Sequence, residues 1–128
     1  MSDVPPFVFG VDACELDEQK DFVARIPAGI STLEEFYDVL SRELRFPHYF
    51  GRNWDALVDC LGDFHWIQSR RVVILHEDLP ALDKHMQFTY LDILSLAVRG
   101  WKPGEAHELV VIFPRPFRDR VSRLMKEA

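Results

Sequence analysis

The sequence predicts an α/β fold in which a small three-stranded parallel sheet is packed by helices. Three short, mostly apolar runs, 22–26, 71–75 and 108–113, are separated by segments with the residue spacing of amphipathic helices. The last two runs are apolar almost without interruption, which is typical of strands buried on both faces of a parallel sheet. With 128 residues, the chain is predicted to form a single domain, 1–128.

The first strand and the first helix have clear boundary signals. The strand 22–26 is closed by Pro27 and Gly29. The segment Ser31–Glu34 has the spacing of a capping box, so a helix is predicted to begin there and to stop before Pro47. Its predicted apolar face consists of Leu33, Phe36, Tyr37, Leu40 and Leu44.

A second helix carries an uncompensated row of carboxylates. Asn53 is its predicted N-cap. Asp55 and Asp59 are four residues apart, so they share one face, and Asp63 is predicted to extend the row. No Lys or Arg occurs from Asn53 to Ser69, and like charges at this spacing cost an isolated helix roughly 0.2–0.5 kcal/mol per pair. The row is therefore a candidate for a cationic partner; the alternative is a solvated helix face. The adjacent apolar stripe is Trp54, Leu57, Val58 and Leu61.

The remaining segments complete the predicted order of elements. A third helix is expected from about Leu79 to Arg99, followed by a turn at 102–104. The N-terminal residues 1–10 are expected to form a loose arm that leads into a short apolar run, 7–11, and residues 12–21 are expected to form an acidic linker. A last helix is expected near 117–126, with its apolar side formed by Phe117, Val121, Leu124 and Met125.

Composition narrows the classes of function. No apolar run approaches the ~20 residues that span a bilayer, and the N-terminus lacks a secretory signal, so a cytoplasmic protein is expected. Cys14 and Cys60 are then reduced thiols, and without a CxxC motif or a Cys/His cluster neither a metal nor another cofactor is predicted.

The charge is unevenly distributed. Residues 1–113 carry 10 Lys and Arg against 19 Asp and Glu, whereas residues 114–128 carry 5 against 2. An acidic body favours a basic partner and argues against binding to nucleic acid. The basic C-terminal helix could contact phosphate, but it is expected to pack its apolar side on the body instead.

The stretch 46–61, Phe-Pro-His-Tyr-Phe-Gly-Arg-Asn-Trp-Asp-Ala-Leu-Val-Asp-Cys-Leu, resembles the signature of the barstar family of barnase inhibitors. That signature is an aromatic pair, Gly, any residue, Asn, an apolar residue, Asp-Ala-Leu, any residue, Asp-Cys-Leu. The resemblance covers roughly residues 22–113. It implies a barstar-like fold, with residues 1–20 as an N-terminal extension and 114–128 as an added C-terminal helix.

The resemblance also implies roles for individual residues. In the family, the loop and the second helix plug the active site of a secreted ribonuclease. The aspartate matching Asp59 lies among phosphate-binding arginines and replaces the RNA phosphate, and the one matching Asp55 meets another arginine. The tyrosine matching Tyr49 lies against the catalytic histidine, while Gly51 and Asn53 match positions that shape and contact the interface.

This chain departs from the family pattern at the rim of that surface. Val58 and Phe64 stand where the founding member has tryptophans, and both are included with Asp63 in the predicted partner-binding surface. The family's late glutamate has no clear match, since residues 91–99 offer only Asp92. Tyr49 is expected to point partly outward and Phe50 to be buried, and Gly51 is expected to supply a positive φ angle.

These observations together predict a cytoplasmic inhibitor of a small barnase-type ribonuclease, binding one-to-one as an immunity protein or antitoxin. The alternative is a barstar-fold module that binds a basic toxin of another chemistry. Asp55, Asp59 and His65 could in principle form a metal or acid–base site, but no Ser/His/Asp order, HExxH motif or glycine-rich phosphate loop is present. An enzyme is therefore not predicted.

Overall fold

The computed structural model describes residues 5–126, which form a mixed α/β structure. Four parallel strands make one sheet in the order β1-β4-β3-β2: β1 is Val8–Phe9, β2 Phe22–Ile26, β3 Arg71–His76 and β4 Glu108–Phe113. The helices are α1 Leu33–Glu43, α2 Trp54–Leu61, α3 Lys84–Gly100 and α4 Arg118–Lys126. No helix within the described range is long and apolar enough to cross a membrane.

The predicted fold class is confirmed, with one strand more than expected. Val8 and Phe9 pair in parallel with Ile112 and Phe113, so part of the segment expected to be a loose arm is the edge strand β1. Pairing over two residues leaves no periodic signal in a sequence. The arm is held because Phe7 and Phe9 are buried against the ring of Phe113. Residues 1–4 of the predicted arm lie outside the described part of the chain.

The inner strand β3 is continuously apolar in sequence because it is buried on both faces of the sheet. Val72, Val73 and Ile74 of β3 are fully buried, and successive side chains of a strand point to opposite faces. Both faces of the sheet are therefore covered, as expected for parallel strands. The predicted acidic linker is joined to the same strand, because Arg71 forms an ion pair with Asp21 at 2.6 Å.

The N-cap of helix α1 lies one residue later in the chain than predicted. The Thr32 hydroxyl accepts a hydrogen bond from the Glu35 N–H at 3.2 Å, and the Glu35 carboxylate accepts one from the Ser31 N–H at 3.0 Å. The capping residue is thus Thr32 rather than Ser31, because Glu35, and not Glu34, reaches back over the first turn. The helix ends before Pro47, as predicted.

The third helix was predicted to begin too early. Helix α3 begins at Lys84, where the Asp83 side chain caps it by accepting from Met86 N–H at 2.8 Å. The preceding residues 79–82 contain Pro80 and form a connection whose Ala81 N–H donates to the Ile30 carbonyl. Leu79 and Leu82 are buried in this connection, and their three-residue spacing in the sequence is also that of an apolar helix face.

The C-terminal helix packs on the body, as expected from its apolar side. Phe117 ends a short 3-10 turn, and α4 follows it and contacts α3. Val121 and Leu124 are buried and Phe117 is half-buried.

Candidate functional site

Helix α2 is held in place by its cap and by its buried side. The Asn53 side chain accepts a hydrogen bond from Ala56 N–H at 2.8 Å and donates one to the Gly51 carbonyl at 3.2 Å. Leu57 and Leu61 are fully buried, and the Trp54 ring packs against α1. The remaining face of the helix is therefore directed toward solvent with little freedom to turn.

Asp55 and Asp59 lie on that outward face. Both are exposed, and no Lys or Arg among residues 5–126 forms an ion pair with either of them. The cation nearest in sequence, Arg52, turns to α1, where it pairs with Asp38 at 2.7 Å and donates to the Glu34 carbonyl. The two carboxylates thus face solvent without internal compensation.

Burial and nearby carboxylates together act on the thiol of Cys60, the residue that follows Asp59. Cys60 is buried, and burial raises the pKa of its thiol above the ordinary value. The carboxylates of Asp63 and Asp59 raise that pKa further, because they disfavour a second negative charge nearby. The thiol is therefore protonated and protected rather than reactive.

Asp63 does not continue the helical row. Helix α2 ends at Leu61, and Asp63 lies in the following turn. Its carboxylate accepts a hydrogen bond from His65 N–H at 3.2 Å and contacts His65 Nδ1 at 2.8 Å. The predicted three-residue row is therefore wrong: Asp63 is exposed but already has a partner, and only Asp55 and Asp59 share the open helix face.

The loop before α2 differs from expectation at two positions. Tyr49 is 61% exposed, as expected, but Phe50 is only half-buried, resting on Phe46 with ring centroids 4.7 Å apart. Gly51 does not supply a positive φ; the left-handed residue of this loop is Arg52, with φ 54°. Arg52 holds this conformation because its side chain is anchored on α1 by the contacts described above.

Phe64 was predicted to belong to the partner-binding surface, and the structure shows that it does not. It is fully buried, so it cannot contact a partner in this conformation. Its φ of 52° directs the ring inward, where it stacks on Trp101 and meets His107 edge-on. Val58, the other altered position, is 46% exposed and remains available.

The structure adds a residue that the sequence did not single out. Leu96 of α3 is 60% exposed and lies with Val58 along a shallow groove between α2 and α3. The sequence does contain a signal for this exposure. Leu91 and Leu94 lie three residues apart and form the buried stripe of α3, and Leu96 lies outside that stripe. Asp92, the one acidic residue of the segment 91–99, is half-buried and does not line the groove.

A comparison with protein families matches residues 22–114 to the family described as Barstar (barnase inhibitor). The chain belongs to the barstar family. The match begins with the first residue of β2 and ends one residue after β4, so it includes the capped helix α2 and its acidic face. No curated protein matches the chain.

Membership of the barstar family settles the general kind of activity. Barstar proteins are inhibitors of barnase-like ribonucleases and not enzymes, which confirms the prediction that this chain is not an enzyme. An inhibitor-like function with a protein as partner follows from the family.

Proposed function

We propose that this barstar-family protein is a cytoplasmic inhibitor that plugs the active site of a small barnase-type ribonuclease in a one-to-one complex. Asp59 takes the place of an RNA phosphate, and Asp55 binds a second cation of the enzyme. The observation that carries the proposal is the exposed Asp55–Asp59 pair on a capped helix, with neither of which a Lys or Arg of residues 5–126 forms an ion pair.

The chemistry of the two carboxylates fits a phosphate-binding pocket. Arginines that bind phosphate can hold a carboxylate through the same paired, charge-assisted hydrogen bonds. Because α2 is fixed by Asn53 and by its buried leucines, little conformational freedom is lost when Asp59 enters such a pocket. Within the part of the chain that the structure describes, no ion pair of Asp55 or Asp59 has to be broken first.

Surface residues around the pair extend the contact in the proposed complex. Tyr49 stands exposed in the loop before α2 and offers a ring to the enzyme, and Gly51 and Asn53 are exposed beside it. Val58 is exposed on α2 itself. The acidic charge of the protein as a whole, −6, attracts a basic enzyme from a distance. Such a protein would protect the producing cell, as an immunity protein or antitoxin does.

Inhibition of a panel of barnase-type ribonucleases tests the proposal. We expect the wild-type protein to inhibit at least one enzyme. Asp59→Ala should raise the inhibition constant about 30-fold or more, because truncating one partner of a buried charge pair costs roughly 2–5 kcal/mol. The barnase–barstar complex is itself one of the systems on which that range is based. The control is Asp119→Ala, which removes an exposed carboxylate from the first turn of α4 and should leave inhibition unchanged.

Two outcomes would contradict the proposal. If no enzyme of the panel is inhibited at micromolar protein, inhibition of this class of ribonuclease is wrong, and a basic toxin of another chemistry becomes the better candidate. If inhibition occurs but Asp59→Ala and Asp119→Ala behave alike, the phosphate-mimicking role of Asp59 is wrong.

A further inference from the structure

A shallow apolar groove runs beside the acidic face, between α2 and α3. Its volume is ≈ 230 Å³, and its apolar walls include Val58, Ile93, Leu96, Ala97 and Trp101. This volume is below the roughly 300–1,000 Å³ of sites that bury a drug-sized ligand. The groove therefore suits a single inserted side chain better than a metabolite or cofactor.

The walls of the groove are firmly supported. The Trp101 indole donates a hydrogen bond to the Leu61 carbonyl at 2.9 Å, which ties the end of α3 to the end of α2. The same ring stacks on the buried Phe64. Ile93 is buried beneath the groove. The shape is thus preformed, and little ordering is needed when a side chain enters.

Two large exposed apolar side chains lie at this groove. The large ones left exposed among residues 5–126 are Val11, Tyr49, Val58 and Leu96. Val58 and Leu96 line the groove, and Tyr49 belongs to the loop that leads into α2. Single exposed apolar residues need no explanation, but two that line the same groove offer a joint apolar contact to a partner.

We propose that this groove receives an aliphatic or aromatic side chain of the same basic ribonuclease that Asp55 and Asp59 bind, so the inference rests on the proposed function. Val58 precedes Asp59 directly and follows Asp55 by three residues, so the groove and the acidic face are neighbours on one short helix. An enzyme surface that delivers arginines to Asp59 must also cover Val58.

The charge around the groove also favours a side chain from a basic ribonuclease. The charged residue that lines the groove, among those the structure describes, is Glu105. Nothing in the groove wall therefore repels a basic protein. An apolar side chain flanked by lysines or arginines on the enzyme fits both the apolar walls and the negative rim. A buried apolar anchor enclosed by polar contacts is the usual arrangement of residues that dominate binding energy.

The groove supplies discrimination among ribonucleases. Arginine is a preferred residue for phosphate recognition in proteins generally, so Asp55 and Asp59 by themselves distinguish poorly between ribonucleases. An enzyme that presents a charged or very large side chain opposite the groove would leave that group unpaired or excluded, which weakens its complex. Loss of an apolar contact acts mainly on the dissociation rate.

The test uses the ribonuclease that the wild-type protein inhibits most strongly. The variants are Val58→Ala, Leu96→Ala and the double variant, and the control is Val11→Ala, an exposed valine in the short turn after β1 that lines no part of the groove. We expect Leu96→Ala to raise Kd about tenfold and the double variant more, through faster dissociation. The factor by which each substitution raises Kd should be similar at low and high salt, because no charge is removed. Thermal unfolding of each variant checks that the fold is retained.

The outcomes separate this inference from the proposed function. If the double variant binds like Val11→Ala while Asp59→Ala loses inhibition, the groove inference is wrong and the proposed function stands. If the wild-type protein binds no ribonuclease of the panel, both are wrong. A change in Kd for the double variant that disappears at high salt would also overturn the inference, since it would trace the effect to charge.

Discussion

At the scale of single residues, His76 and Tyr90 form a hydrogen-bonded pair inside the core. His76 lies at the end of β3 and is buried, with its ring stacked on Phe113 at 4.1 Å. Its Nδ1 lies 3.0 Å from the Ile112 carbonyl and its Nε2 lies 2.6 Å from the Tyr90 hydroxyl. A neutral imidazole satisfies both contacts, because it donates to the carbonyl and accepts from the tyrosine. Burial lowers the pKa of His76 from 6.5 to about 4.

This buried histidine makes the stability of the protein depend on pH. Between pH 6.5 and about 4 the unfolded chain binds a proton at His76 and the folded protein does not. The stability that comes from burying neutral His76 is therefore fully present above pH 6.5 and is lost as the pH falls to about 4. We expect a loss of about 3 kcal/mol from this residue over that range. Urea unfolding of wild type and His76→Leu at several pH values measures it. Similar pH slopes for the two proteins would contradict the assignment, and exposed His85→Gln is the control.

Residue-scale prediction from the sequence succeeded where the backbone is regular. The i, i+4 spacing correctly indicated that Asp55 and Asp59 lie together on one exposed flank of α2. It did not reveal the burial of Phe64 or the ordinary φ of Gly51, because those depend on how a turn packs. Phe64 takes a positive φ to reach Trp101, a partner 37 residues further along the chain.

At the scale of elements, the short helix α2 depends on its cap. It contains eight residues, fewer than an isolated helix needs to be stable in water. Its geometry comes from the hydrogen bonds of Asn53 and from Leu57 and Leu61 in the core. The orientation of Asp59 therefore depends on the residue six positions before it.

Replacing the cap tests this dependence. We expect Asn53→Ala to lower the free energy of unfolding by about 1 kcal/mol, because Ala56 N–H loses its acceptor. It should also weaken inhibition although Asp55 and Asp59 are intact. Asn53→Ser, which keeps a capping oxygen, is the matched control and should retain most of the stability. Denaturant unfolding and inhibition assays measure the two effects; equal stability of the two variants would show that the cap is unimportant.

Elements with caps or sustained periodicity were predictable, and those defined by distant partners were not. Strands β2, β3 and β4 and helices α1 and α2 carry their own signals in the sequence. Strand β1 consists of two residues and exists because β4 offers it an edge. The start of α3 was misplaced because Leu79 and Leu82 are buried for a different reason than helical packing.

At the scale of the whole molecule, segments outside the family match belong to the same core. Strand β1 pairs with β4, and α4 packs on α3. The guanidinium of Arg118 lies 5.2 Å from the centre of the Phe9 ring, so the two ends of the described chain also contact each other. The extension before residue 22 therefore supports the sheet of the family core.

Truncating a side chain of β1 tests that support. We expect Phe9→Ala to lower the free energy of unfolding by about 3 kcal/mol, because it opens space beside Phe113. Inhibition by the folded variant should be unchanged, since Phe9 is on β1 and the acidic face is on α2. Urea unfolding measures the loss, with Val11→Ala as the exposed control. Wild-type stability of Phe9→Ala would show that β1 is dispensable.

Competition with a mononucleotide tests the central claim most directly. The measurement is the apparent Kd of the protein for the ribonuclease while a nucleotide that fills the enzyme's phosphate pocket is raised in concentration. If Asp59 occupies that pocket, the apparent Kd rises in proportion to the nucleotide once the nucleotide exceeds its own Kd. An apparent Kd that stays constant while the pocket is saturated would contradict the account, because the inhibitor and the phosphate would then be bound at different places.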